Sequence, residues 1–218
     1  MNIFYLDNDP KTCAQMHNDK HVVKMILEYA QLLSTAHRIL DGTLVEGLSK
    51  SGRKAKRYQL PDARDGILYT ATHANHPSAI WCRKGIVQYR WLHNLLIELC
   101  KEYTHRYCKT HKVEREGLLW KLEQPPRSIH ADVFWSEPTP AMPDDYKVVG
   151  DSVASYQNYY LGDKAKMSRW TNSPMPTWFA DGINTLYGDA CYIERDDKRN
   201  RIISMPFYKS KYANLQLP

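Results

Sequence analysis

The sequence predicts an all-α protein, and three observations carry that prediction. Residues 9–41 repeat apolar side chains at helical spacing between a start signal, Asp9-Pro10, and a stop signal, Asp41-Gly42. Residues 77–107 do the same from Pro77 onward, with Trp81, Leu92, Leu95, Leu96, Leu99 and Tyr103 in one stripe. Shorter helical patterns follow toward the C-terminus. The expected architecture is a compact helical body built on two long packed helices, with shorter C-terminal helices and a basic loop. Residues 1–218 read as a single domain, with a core over 1–123 and a helical or irregular portion over 124–218.

Taken in order, residues 2–8 form a short apolar lead-in with β-like character that packs its aromatics on the helix that follows. In that helix Val22, Val23, Met25, Ile26, Leu27, Tyr29, Ala30, Leu32, Leu33 and Ala36 cover well over half the circumference, which places the helix inside the protein. Residues 41–66 hold Gly42, Gly47, Gly52 and Pro61 together with Lys50, Arg53, Lys54, Lys56 and Arg57, which predicts an exposed basic loop. Leu118, Leu119, Trp120 and Leu122 make a short helix that ends at Pro125-Pro126, and prolines 138, 140 and 143 mark a coil. Asp151 or Ser152 caps a helix reaching about Leu161, and Pro176 opens another toward Tyr187-Gly188. The basic, aromatic tail around Ile202, Ile203 and Phe207 reads equally as a hairpin or an extended arm.

The first helix carries the most informative pattern. His17, His21, Lys24, Glu28, Gln31 and Thr35 recur at spacings of four and three, which stacks them in a stripe about 80° wide on an otherwise apolar rod. Buried polar groups need partners, and a cleft supplies them. Ordinary i,i+4 pairing on a wet face gives the same spacing for Lys24 and Glu28. His73 and His76 precede the second helix, so His17, His21, His73 and His76 also form a possible metal set. The glutamate of an H-E-x-x-H motif is missing between His17 and His21, and Lys20 and Lys24 would stand beside the ion.

Thirty Lys and Arg against 24 Asp and Glu give a net charge of +6, which favours polyanionic partners. Fifteen tyrosines and six tryptophans offer flat amphipathic surfaces for packing or stacking. Five cysteines, without a C-x-x-C pair, argue against a disulfide framework or structural zinc and for a reducing, cytoplasmic setting. No leader and no apolar run of membrane-spanning length is expected. Oligomeric state is not legible, and no cofactor is implied.

Three segments together resemble a known family. Ala14-Gln15-Met16-His17 through His37-Arg38, the turn Asn75-His76-Pro77 with its helix, and Pro176-Thr177-Trp178-Phe179 occur in the same order as counterparts in the pyrimidine-dimer DNA glycosylases typified by phage endonuclease V. The chain as a whole resembles an uncharacterised group of phage proteins, which would place it in the host cytoplasm. The resemblance implies a compact all-α body that binds and bends double-stranded DNA. In that family a primary amine attacks the sugar C1′ to form a Schiff base, a carboxylate assists, and β-elimination can nick the strand. The family's amine is the α-amine exposed after Met removal, whereas residue 2 here is Asn2, and Lys24 falls near the family's helical glutamate with Glu28 one turn later.

Three function classes follow. In the first, His17, His21, Lys24, Glu28 and His76 line the pocket of a glycosylase/lyase acting on a damaged or modified pyrimidine, with Lys24 as an amine activated by burial and by His21. Lys50, Arg53, Lys54 and Arg57 would hold phosphates, and Trp178 and Phe179 would stack on a displaced base. The second is a metal-dependent hydrolase or base-modifying enzyme using the histidines. The third is a non-catalytic DNA-binding or host-interaction protein.

Overall fold

A computed structural model describes residues 1–48, 52–188, 190–199 and 201–206. It corrects the all-α expectation: about 50% of the chain is helix and 13% is strand, with two small antiparallel sheets. Among the described residues no helix is long and apolar enough to cross a membrane.

The first predicted helix is in fact two, α1 (Pro10–Met16) and α2 (Asp19–Asp41). Asp9 opens α1 by accepting the Thr12 N–H at 2.9 Å, and Pro10 supplies the first-turn φ. Asn18 then interrupts the helical pattern. Its backbone is extended, and its side-chain oxygen accepts the His21 N–H at 2.9 Å, so the residue caps α2 rather than continuing α1. At the far end α2 meets Gly42, where an added Cβ would stand 2.4 Å from the Arg38 carbonyl oxygen. Only glycine allows that approach.

The predicted basic loop is an antiparallel hairpin of β1 (Thr43–Leu48) and β2 (Lys54–Gln59), in register from Thr43 opposite Gln59 to Leu48 opposite Lys54. Its foot is held by Arg38, which uses every guanidinium donor. Nε donates to Tyr69 O at 2.5 Å, Nη1 to Tyr58 O and Asp65 Oδ1, and Nη2 to Asp65 O and Leu68 O. A short turn, α3 (Arg64–Ile67), follows.

The second predicted helix also divides, into α4 (Pro77–Cys82) and α5 (Ile86–Tyr107). The break falls at Gly85, whose added Cβ would lie 2.6 Å from the Val133 Cβ. Beyond α5 come α6 (Lys112–Arg115), α7 (Leu118–Lys121) and a coil that leads to α8 (Ser152–Tyr159), capped by Asp151 as expected. A π-turn over Tyr160–Lys164 runs into β3 (Trp170–Thr171), and α9 (Thr177–Tyr187) starts just after Pro176. The tail is the hairpin alternative, β4 (Cys191–Asp196) with β5 (Arg201–Pro206), in the strand order β3–β5–β4.

Helices α2 and α5 pack lengthwise at the centre, α1 lies on α5, and α4 lies on α2. The lead-in packs on α2 and enters the core, with Ile3, Phe4, Tyr5 and Leu6 all buried. Val23 and Leu27, counted in the apolar surface of that helix, are instead exposed, because no other element among the described residues covers their side of it. Arg106 of α5, itself buried, ties these parts together. It donates to Glu102 at 2.7 Å, to Asp19 at 2.9 Å and to the Gln15 carbonyl at 3.0 Å.

Candidate functional site

The predicted polar stripe, which starts at His17 just before α2 and continues along that helix, separates into a buried half and an open half. His17 and His21 belong to the buried half, and hydrogen bonding sets their protonation. Cys13 O can only accept, so His17 Nδ1 donates to it at 2.7 Å, and Nε2 takes the Tyr29 hydroxyl proton at 3.1 Å. The Tyr29 oxygen in turn accepts the Phe4 N–H at 3.1 Å. His21 stacks on Phe4 with ring centroids 3.9 Å apart, and its Nδ1 lies 2.5 Å from the Tyr160 hydroxyl. Both imidazoles therefore fasten the lead-in and the π-turn to α2, and neither lines an open pocket.

Burial holds both rings neutral. It brings the His17 pKa from 6.5 down to about 4, and it lowers His21 well below its ordinary value with the help of His17, Lys164, Lys24 and Lys20. Each folded pKa lies below the unfolded one, so the unfolded chain binds more protons between those values. The stabilisation is complete above pH 6.5 and is lost as pH falls toward 4. His17 is expected to cost roughly 3 kcal/mol of stability by pH 4. Urea unfolding of the wild type and His17→Gln across this range measures it, and the variant should show the shallower slope.

The open half is built from Lys24, Glu28 and a loop over 72–76. Lys24 Nζ lies 3.1 Å from Glu28 Oε1, with the lysine side chain 68% exposed and the glutamate 13%. Lys24 is thus an exposed, paired cation, not the buried amine expected from the sequence. Thr35, two steps further along the stripe, pins the loop by accepting the Thr72 N–H at 3.2 Å and donating to its carbonyl at 3.4 Å. His76 caps α4, its Nδ1 accepting the Ser78 N–H at 3.2 Å, which leaves the proton on Nε2. Its pKa is lowered first by burial, then by the Met1 amino group and His73, with Glu28 opposing. Those influences put the Glu28 carboxylate, the His73 imidazole and the Met1 amine within electrostatic range of His76. Asn2 steadies the start of the chain, donating to Ala141 O at 2.8 Å and accepting from the Tyr156 hydroxyl.

The hairpin adjoins this surface. Arg83 donates to Ala74 O at 2.7 Å, and Arg38 bridges Tyr58 O of β2 and Tyr69 O, so the foot of the hairpin lies beside the segment that leads into the loop carrying His73 and His76. Arg53, Lys54 and Arg57 are exposed there, while Lys50 lies outside the described residues. Phe179 is buried against Trp170 at 4.9 Å, because α9 turns its apolar side inward. Trp178 is half-buried, its indole N–H 3.4 Å from the Met16 sulfur and its ring on Tyr160. Phe179 therefore presents no face to a base.

His17, His21, His73 and His76 do not converge. The first two have ring nitrogens committed to Cys13, Tyr29 and Tyr160, and the other two lie on the loop. Among the described residues no cluster of three or more His, Cys, Asp or Glu side chains could hold a metal ion. The Met1 amine, absent from the stripe expected on α2, has no signal in helical periodicity: the lead-in brings it there by threading the core.

The chain matches no protein-family model, no curated protein and no solved structure.

Proposed function

We propose that this protein is a DNA-acting enzyme of glycosylase/lyase type that uses an amine and the Glu28 carboxylate on the open face of α2. The observation that carries the reading is the Lys24–Glu28 pair on the open face of α2, with His76 in electrostatic range of Glu28 and a cationic hairpin at the far end of the helix. The shared order of segments with pyrimidine-dimer glycosylases agrees with it.

The reaction requires a neutral amine, and Glu28 lies 3.1 Å from one ammonium, close enough to take its proton. The nitrogen lone pair forms a bond to C1′. The glycosidic pair leaves with the pyrimidine, which is protonated as it departs, and His76, with its proton on Nε2, is the proposed donor. Opening of C1′–O4′ leaves the imine. Removal of a C2′ proton by a carboxylate then expels the 3′ phosphate and nicks the strand. Two amines border the site, Lys24 Nζ and the Met1 amino group.

All five cysteines are free, and Cys13, Cys82 and Cys100 are buried, which supports a reducing cytoplasmic setting. The metal-dependent alternative lacks a clustered donor set among the described residues. Incubation with abasic duplex DNA and borohydride in EDTA tests the proposal. The expected product is a covalent protein–DNA adduct that forms only with borohydride. Absence of the adduct, with DNA still bound, removes amine chemistry.

A further inference from the structure

Beyond the face of Glu28, a second cationic feature sits at the other end of the α2 stripe. After the π-turn the chain runs through Ala165, Ser168 and Trp170, all buried, and it is bolted to the start of α2. Asp19 N–H donates to Arg169 O at 2.8 Å, Asn18 Nδ2 to Ser168 Oγ at 3.1 Å, and Ser168 Oγ to Lys164 O at 2.8 Å. Between these anchors Lys166 and Arg169 are exposed, and Lys20 faces them from α2. With Asp19 and Met167 they line a cavity of about 410 Å³.

Charge in the cavity is one-sided. Asp19 contributes the sole carboxylate of the lining, and it is already engaged. Its Oδ1 accepts from Arg106 and the Thr171 N–H, and its Oδ2 accepts from the Thr171 hydroxyl at 2.6 Å. Lys164 stands close by, paired with Asp163 and lying 4.4 Å over the Tyr159 ring. Lys20, Lys24 and Lys164 all lie within electrostatic range of the buried His21. Three cations on a rigid, concave, aqueous surface are suited to the oxygens of a phosphate, which an anchored backbone can hold without ordering a loop.

We propose that the cavity of Lys20, Lys166 and Arg169 is a phosphate subsite that takes a backbone phosphate of the bound DNA strand. The assignment rests on the reading of the protein as DNA-acting. Lys20 lies eight residues before Glu28 on α2, about 12 Å along the axis. That span matches three to four nucleotides at roughly 3.4 Å of rise per strand. The subsite and the hairpin then lie on either side of Glu28, and the strand is held on both flanks of the reacting sugar. Two of the subsite residues, Lys166 and Arg169, follow Gly162 at a spacing that carries no helical or motif signature, and Lys20 joins them from α2.

The test is the salt dependence of duplex binding by the full chain. Lys20→Ala with Arg169→Ala is expected to lower the slope of log affinity against log salt by about two, one per cation removed. A control pair on α6 and α7, Arg115→Ala with Lys121→Ala, should keep the wild-type slope. A wild-type slope in the first pair overturns the subsite, and so does an equal loss in the control. Millimolar inorganic phosphate at constant ionic strength separates the sources. If it erases the difference between wild type and the first pair, the cavity holds free phosphate and the strand assignment fails. A retained slope difference without any borohydride adduct overturns the proposed reaction and leaves the subsite standing. Absence of duplex binding by the wild type overturns both.

Discussion

Arg106→Ala is expected to destabilise the protein by about 3–5 kcal/mol, the loss seen when one partner of a buried ionic group is removed. The guanidinium is buried and has three partners on two other chain segments: Glu102 one turn away on α5, Asp19 at the start of α2, and the Gln15 carbonyl at the end of α1. Its carboxylate partners also serve others, since Asp19 receives the Thr171 amide and hydroxyl and Glu102 receives the Ser173 hydroxyl. Truncation would leave two carboxylates in a half-dry site and loosen three elements at once. At roughly 2–4 °C per kcal/mol for a chain of this size, the melting temperature should fall by about 10 °C. Urea and thermal unfolding measure it. A change under about 1 kcal/mol would mean that water replaces the arginine without cost.

Glu28→Gln is expected to slow strand incision by roughly 10²- to 10⁴-fold, the usual contribution of a positioned general base. Glutamine keeps the shape and the hydrogen-bonding reach but cannot accept a proton. The loss should fall on the single-turnover rate, with duplex affinity and melting temperature nearly unchanged, because the pair with exposed Lys24 contributes only about 0.3–0.5 kcal/mol. Lys24→Ala serves as the contrast. Equal affinity and equal rate in Glu28→Gln would exclude the carboxylate from the chemistry.

Local signals in the sequence were reliable where the physics was local. Asp9-Pro10, Asp41-Gly42, Asp151 and Pro176 each mark an element boundary through a cap or a fixed φ, and the helices begin or end at or within a residue or two of them. The break at Asn18 was hidden because the four- and three-residue spacing of His17, His21 and Lys24 runs straight across it, although Asn18 itself is a capping residue. Gly85 breaks the second helix through its closeness to Val133, a contact that no local pattern encodes. The basic run masked the alternation that makes β1 and β2 a hairpin, since strand pairing depends on a partner as well as on composition.

The site was legible to the same degree. Lys24 and Glu28 share a helix face, so spacing placed them together, and His76 reached them from a turn. His17 and His21 have the same spacing but a different fate. His21 is buried by Phe4 and by Tyr160, a partner 139 residues away, and His17 by the Tyr29 hydroxyl. Periodicity reports which side chains share a face of a helix. Which part of that face the rest of the chain covers is decided by long-range packing.

The most direct test of the central claim is peptide mapping of the borohydride-trapped complex on abasic DNA. The account predicts that the reduced sugar is carried by the peptide containing Met1 or the one containing Lys24, the two amines that border Glu28 and His76. Attachment to a lysine of the hairpin, or to any other amine remote from Glu28, would contradict it.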